Sequence, residues 1–338
     1  MSVSDGPAIL GRYRDAIERA LREAIGPGAS PIEAAARYVM GWEDGEGQPL
    51  ATGGKRIRPA LCLFAAESFG ANPADALAGA VAIELVHNFS LVHDEIQDHD
   101  LVRHNRPTTF ARLGEAQAIN VGDFLYTRAI AALTHGAGEV SRRMAALAVL
   151  NNAIERMIRG QWEDLAFEAR ERVEVAEYLT MVAGKTGALL AAPVEIGAIL
   201  AGAPPASART AGAWGASVGA AFQAQDDYLG IWGNPDITGK SNTNDISRKK
   251  KTLPVVHGLN HPIAGAVLRA AYAKPAVEPA DVVQVVAALE AAGSAEYCRE
   301  RAAAQAAEAD RLLQMLPLGE VQRAEFRAIA RYLADRDA

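Results

Sequence analysis

Twice along this 338-residue chain a long apolar run of helical periodicity ends in paired carboxylates, and basic residues follow at once. The first run closes as HNFSLVHDEIQDHDLVRHNRPT, from His87 to Thr108. If its helix reaches Asp98, Asp94 and Asp98 stand one turn apart on one face. His87 then lies two turns below Asp94 on nearly the same face, with Phe89, Leu91, Val92 and Ile96 on the others. Carboxylates crowded at an apolar helix end are costly unless a positive charge sits between them. A hard divalent cation such as Mg²⁺, which takes oxygen ligands and keeps several waters, meets that need. Arg103 and Arg106 add fixed positive charge suited to phosphate oxygens. A solvated acidic helix end beside a basic loop accounts for this segment equally well.

The second run tips that balance. The apolar AGAWGASVGAAFQ ends in the adjacent carboxylates Asp226 and Asp227. A loop rich in Gly, Pro and Asn follows, carrying Lys240, Asp245 and the lysines 249–251. Two helix-borne acidic clusters, each trailed by cations, suit a site in which metal ions hold a diphosphate.

In order and spacing these segments resemble the polyprenyl synthetase family, the trans-isoprenyl diphosphate synthases, including bacterial geranylgeranyl and farnesyl diphosphate synthases. The resemblance spans nearly the whole chain. It comprises GGKRIRP at Gly53–Pro59, DEIQD at Asp94–Asp98, RPT at Arg106–Thr108, GDFLYTRA from Gly122 and GQWEDL from Gly160. KTGALL from Lys185, FQAQDD from Phe222 and the Lys240 loop complete it. Each motif alone is weak; their order together is highly specific.

The resemblance implies an all-α helical bundle, one domain over residues 1–338, enclosing a deep apolar cavity with metal sites at its mouth and forming a homodimer. It implies a prenyltransferase joining isopentenyl diphosphate to an allylic diphosphate. Asp94, Asp98, Asp226 and Asp227, with Glu95 as a further donor, would hold three Mg²⁺ ions. Arg103, Lys185, Thr186, Gln223, Lys240 and Lys250 match the family's contacts to the allylic diphosphate. Of these, Arg103, Lys185 and Lys240 join Asp94, Asp98, Asp226 and Asp227 as the catalytic set, stabilising charge on the leaving group. Lys55, Arg58 and His87 would meet isopentenyl diphosphate, together with position 104. Phe89 and Ser90, five and four residues before Asp94, are the chain-length positions. A bulky aromatic at the fifth position, with no insertion in the motif, implies a twenty-carbon product, geranylgeranyl diphosphate, ahead of farnesyl diphosphate.

Three departures stand against the family pattern. Glu95 replaces the usual second Asp, Gly230 removes the last carboxylate of the second motif, and His104 replaces an arginine that holds isopentenyl diphosphate. Asp236 or Asp245 could supply the missing carboxylate. His104 keeps open a terpene cyclase that needs no isopentenyl diphosphate. A non-catalytic partner subunit is a third reading, opposed by the presence of both Asp pairs.

Bulk properties narrow the class. The formal charge of −7 excludes a basic nucleic-acid stripe. Hydrophobic residues make up 50% and aromatics only 6%, a balance that favours packed helices over strands. Cys62 and Cys298 match no metal spacing and read as reduced thiols. The N-terminus lacks the pattern of a signal peptide. The most apolar segment, 187–204, is interrupted by Pro193 and Glu195, so it reads as a core helix and not a membrane span. A cytosolic protein is expected.

Along the chain, Ile9, Leu10, Tyr13, Ile17, Leu21 and Ile25 predict one amphipathic helix ending at Gly26. Pro31 opens a second helix reaching about Trp42. Lys55, Arg56 and Arg58 beside Gly53-Gly54 read as a phosphate-binding loop before a helix starting near Pro59. Gly122, inside a helix at a cost of about 1 kcal/mol against Ala, predicts a close neighbouring helix. Gln161 and Asp164 read as a polar helix end with a supporting role. Lys185-Thr186-Gly187 marks a kink, and Lys185 beside so apolar a run needs a buried anion. From Pro275 onward only amphipathic helices appear, and no strand is expected anywhere.

Overall fold

The computed structural model describes residues 7–50, 54–103, 105–233 and 244–334, and they are almost wholly helical. Contacts divide the chain into two compact units, 6–152 with 192–212, and 1–5 with 153–191 and 213–338. The division falls inside the helices Val140–Glu168, Ala188–Leu200 and Pro205–Trp232.

In the first unit the helix Leu77–Gln97 is the central element. It follows a 3₁₀ turn, Pro73–Ala76, whose entry is capped by the Asn72 side chain accepting from the Ala74 N–H at 3.0 Å. Residues 79–86 are all buried, and apart from Glu84 this stretch is apolar around its whole circumference, as a central helix must be. Ile57–Ser68 packs on it with Pro59–Ala66 buried. Pro59 is the third residue of that helix, not its start, and loses no helical bond there. Glu115–His135 lies along the other side. A Cβ on Gly122 would overlap the His93 ring of the central helix, so glycine is what lets the two backbones approach.

The expected first helix is two pieces, Ala8–Gly11 and Arg14–Ile25, broken just after Gly11, although all six of its apolar positions are buried. The second, Pro31–Val39, stops short of Trp42 because Gly41 takes a left-handed φ of 76°. One strand pair does occur. Val102–Arg103 and Arg106–Pro107 form a two-residue antiparallel hairpin around Asn105, whose φ is 59°. Two residues are too few to show alternation in sequence.

In the second unit the helices Pro279–Ala291, Ser294–Gln314 and Glu320–Ala334 follow the expected amphipathic pattern. Trp214 packs edge-on against Phe326 at 4.7 Å. The pairs Arg299–Glu296 and Arg311–Glu308, both at 2.6 Å, decorate a solvated face as read from the sequence. The segments Pro73–Gln97 and Val175–Leu200 are long and apolar enough to cross a membrane, yet 67% of each apolar window is buried inside the protein. Cys62 and Cys298 are buried free thiols, pushed up in pKa by loss of hydration.

Two glycines give a graded test. At Gly197 an added Cβ would overlap the backbone carbonyl of Cys62, which cannot move alone; at Gly122 it meets a side-chain ring that can. Gly197→Ala is expected to cost about 1–3 kcal/mol in urea unfolding, and Gly122→Ala less. Equal costs would show that the helix spacing is looser than described.

Candidate functional site

The carboxylates of the first motif emerge from helical geometry. Asp94 and Asp98 are half-buried and one turn apart, and the Asp98 N–H closes the helix on the Asp94 carbonyl at 2.9 Å. The hairpin brings Arg103 back over them: Nη2 lies 2.8 Å from Asp94 Oδ2 and 3.9 Å from Asp100 Oδ2, and Nε lies 3.5 Å from Glu95 Oε1. Arg103 is therefore held at the first motif. Glu95, which the resemblance makes a further metal donor, is placed differently from the two aspartates. One residue on, it is rotated off the Asp94–Asp98 face, is 7% exposed, and accepts from the Thr109 N–H at 3.3 Å. Burial raises its carboxyl pKa, with Arg103 acting against that.

Other cations of this unit divide between structure and site. Arg106 donates to the Glu43 carbonyl at 2.7 Å and lies 4.1 Å over the Tyr38 ring, so its guanidinium is tied into the fold. Arg56 is likewise buried. Lys55 is exposed, and Arg58 reaches His87, Nη1 to Nε2, at 3.2 Å. Arginine cannot accept, so that contact places the imidazole proton on Nδ1. Arg58 Nε is buried with no hydrogen-bond partner among the described residues. Phe89 is buried between His93, edge-on at 4.8 Å, and Tyr126 at 5.5 Å. Ser90 Oγ is turned to the His87 carbonyl at 2.7 Å. His104 lies outside the described residues, as do Lys240 and Asp236.

In the second unit a π-helical turn, Ala183–Gly187, carries Lys185 and Thr186 where the sequence predicts a kink. Such turns are frequent at functional sites. Gly160 and Gly184 let backbones touch there, since a Cβ on either would overlap main-chain atoms. The anion that Lys185 needs is Asp164, Nζ to Oδ2 at 2.5 Å. A chain of hydrogen bonds joins the rest. Thr186 donates to Gln223 Oε1 at 2.9 Å, and Gln223 Nε2 donates to Asp227 Oδ1 at 2.9 Å. Asp227 Oδ2 accepts from the Tyr178 hydroxyl and from the Leu253 N–H at 2.9 Å. Burial pushes its carboxyl up to about 7 despite these donors. Asp227 is thus enclosed by donors, whereas Asp226 is half-buried one residue before it.

Gly230 and Asp245 are neighbours: a Cβ at 230 would stand 2.9 Å from Asp245 Oδ2. The carboxylate absent from position 230 has a counterpart from position 245 in the same space. The lysine run is also sorted. Lys249 donates to the carbonyl of Lys274, and Lys251 is buried with Nζ 5.1 Å over the Tyr272 ring. Lys250 between them is half-buried.

Among the described residues no three His, Cys, Asp or Glu side chains could cage a metal by themselves. The donor set still fits Mg²⁺, which binds through one or two carboxylates, keeps its waters and takes further oxygens from a phosphate. Tyr178, Asp164 and Glu84 are the residues that sequence reasoning missed or underrated. Asp164 sat inside a quoted motif, but Tyr178 and Glu84 carry no local signal, because their partners are 49 and 28 residues away.

Residues 47–289 match the polyprenyl synthetase family. The chain is similar to the (2E,6E)-farnesyl diphosphate synthase of Mycobacterium tuberculosis, 37% identical over 339 residues, covering 98% of this chain and 93% of that protein. It is 38% identical over 291 residues to the geranylgeranyl diphosphate synthase of the same organism, covering 85% and 83%. Among solved structures, the polyprenyl synthetase from Streptomyces coelicolor A3(2) superposes with a TM-score of 0.91 at 39% identity, covering 97% of this chain and 99% of that one.

Tyr178→Phe removes one of the three donors to Asp227 at almost no change in volume. Stability is expected to fall by about 1–3 kcal/mol, read by denaturant unfolding in the absence of metal. An unchanged midpoint would mean that Asp227 does not depend on that hydroxyl.

Proposed function

Because the chain belongs to the polyprenyl synthetase family and is a trans-prenyltransferase, a prenyl diphosphate synthase, we propose that it condenses isopentenyl diphosphate with an allylic diphosphate to give geranylgeranyl diphosphate, with Mg²⁺ as cofactor. The observation that carries this reading is the two carboxylate pairs on long helices: Asp94 and Asp98 beside Arg103 in one unit, and in the other Asp226 and Asp227, the latter linked through Gln223 to Thr186, the neighbour of Lys185. Asp94 and Asp98 would hold Mg²⁺ at one cluster, Asp226 with Asp245 at the other, three ions in all. Bound Mg²⁺ neutralises diphosphate oxygens and stabilises the charge they gain as the leaving group departs.

The protein's own groups do the rest. Arg103, Lys185, Thr186, Gln223, Lys240 and Lys250 bind and orient the allylic diphosphate. Its carbon–oxygen bond breaks, the electron pair leaves with the diphosphate, and the isopentenyl double bond attacks the allylic carbon. The departing diphosphate takes the proton that is lost, so no dedicated protein base is required. Lys55, Arg58 and His87 hold the homoallylic diphosphate, His87 through its Nδ1–H and Arg58 through donors that include the unpartnered Nε. Apolar helices keep water from the cation. Asp227 orients Gln223 and, through it, Thr186.

A homodimer of cytosolic location completes the reading. On the helix Val140–Glu168, Met144, Ile158 and Trp162 are exposed, Trp162 by 74%, as an interface would leave them in a lone chain. His104, in place of an arginine, favours one second reading, a cyclase acting on a prenyl diphosphate alone.

The deciding assay supplies Mg²⁺ and allylic diphosphates with and without isopentenyl diphosphate, and identifies the prenyl alcohol released by phosphatase or any cyclic hydrocarbon formed. A longer linear prenyl diphosphate is expected only when isopentenyl diphosphate is present, and none in excess chelator. Asp94→Asn and Asp226→Asn should each lower kcat about a hundredfold or more with little change in Tm. Turnover in chelator would end the magnesium reading, and a cyclic product without isopentenyl diphosphate would install the cyclase.

Chain length has its own test. The relatives of nearly equal identity carry different product names, so the assignment leans on Phe89, wedged between His93 and Tyr126. Phe89→Ala is expected to lengthen the product by at least one isoprene unit. A folded, active variant with unchanged product would move the floor to another residue.

A further inference from the structure

Arg56 was read as one of three phosphate-binding cations, and the structure gives it a different task. It is 4% exposed, and its guanidinium has donors engaged on three sides. Nε reaches Glu18 Oε1, Nη1 reaches Glu84 Oε1 and Nη2 reaches the Met40 carbonyl, each at 2.8 Å. Trp42 closes the cage, donating from Nε1 to Glu18 Oε2 at 2.6 Å, and Asn88 Nδ2 adds a contact to Glu84 Oε1 at 3.3 Å. Three of its five N–H donors are engaged, and burial closes the guanidinium off from a substrate anion.

What the cage fixes is the backbone. Arg56 takes φ 50° and ψ 37°, a left-handed conformation that costs a non-glycine residue roughly 1 kcal/mol or more. The reversal there separates neighbours in the chain: Lys55 is exposed, Arg56 is buried, and Ile57 begins the helix whose second residue is Arg58. The other end of the tether is Glu84, one turn before His87 on the central helix. The same ion pair thus joins the two helices at the level where Arg58 meets His87. One arginine against two glutamates also leaves the cage with a net negative charge, and Arg58 is the cation that Glu84 acts on nearby.

We infer that Arg56 and Glu84 are positioning residues for the homoallylic diphosphate: through the left-handed turn and the helix-to-helix tether they set the relative placement of Lys55, Arg58 and His87. The inference rests on the assignment of those three residues to isopentenyl diphosphate made above.

Steady-state kinetics with each substrate varied in turn tests it. Glu84→Gln keeps the shape and removes the charge. It is expected to raise the KM for isopentenyl diphosphate about tenfold, a decade being 1.4 kcal/mol, while the KM for the allylic diphosphate and the saturated kcat change less than about twofold. A role in stability alone would lower Tm and the active fraction and leave both KM values in place; that outcome overturns the inference. If Glu84→Gln does not fold, Glu18→Gln, at the partly exposed arm of the cage, takes its place with an expected rise of about threefold, and an unchanged KM overturns it equally. Arg58→Ala separates the two levels. Should it leave the KM for isopentenyl diphosphate unchanged, the homoallylic assignment fails; should it raise that KM while the cage variants do not, the positioning role fails alone.

Discussion

A charge taken out of water has to meet an opposite charge or several hydrogen bonds, and this constraint organises the structure more than any other. Asp227 gathers a hydroxyl, a backbone N–H and an amide. Glu84 and Glu18 share Arg56. Asp94 faces Arg103, and Asp164 faces Lys185. Most of these matches tie together separate segments of the chain, so satisfying a charge and fixing an element become one event. The half-buried members of these pairs, Asp94, Arg103, Lys185 and Asp164, keep a side open to exchange partners. The more deeply buried ones do not, and on the proposed reading that difference separates groups that meet a substrate from groups that hold them in place.

The helices were legible because their apolar period is long and their interruptions are chemically plain. Asn72-Pro73, Pro31, and Gly122 against His93 all act where the sequence places them. Boundaries were read less well. The break after Gly11 falls within an apolar pattern that continues across it, so periodicity alone could not reveal it. The hairpin at residues 102–107 is held by one short ladder and a left-handed Asn105, neither of which has a sequence period.

The site was legible as a set of residue types and less so as a set of partners. Spacing on one helix places Asp94 and Asp98 together, and the kink at Lys185 follows from its neighbours. Which of several cations is structural does not follow from spacing. Arg56 and Arg106 look like Arg58 and Arg103 in sequence, yet the first two are consumed by the fold. Adjacent carboxylates diverge for the same reason: Glu95 and Asp227 sit one residue from the half-buried Asp94 and Asp226, and 100° of helical rotation turns them into the protein.

The π turn at Ala183–Gly187 has a consequence of another kind. A turn of this sort holds one residue more than α geometry allows, so everything beyond it is rotated by about 100° relative to what precedes it. Lys185 and Thr186 owe their facing to that surplus residue, and the helix Ala188–Leu200 owes it the register of its apolar surface. Substitution alters one side chain, but loss of a single residue here would let the segment relax to a plain α-helix and turn a whole face away from its partners. The number of residues in this segment is therefore a constraint in its own right, alongside the identities of Gly184, Lys185 and Thr186.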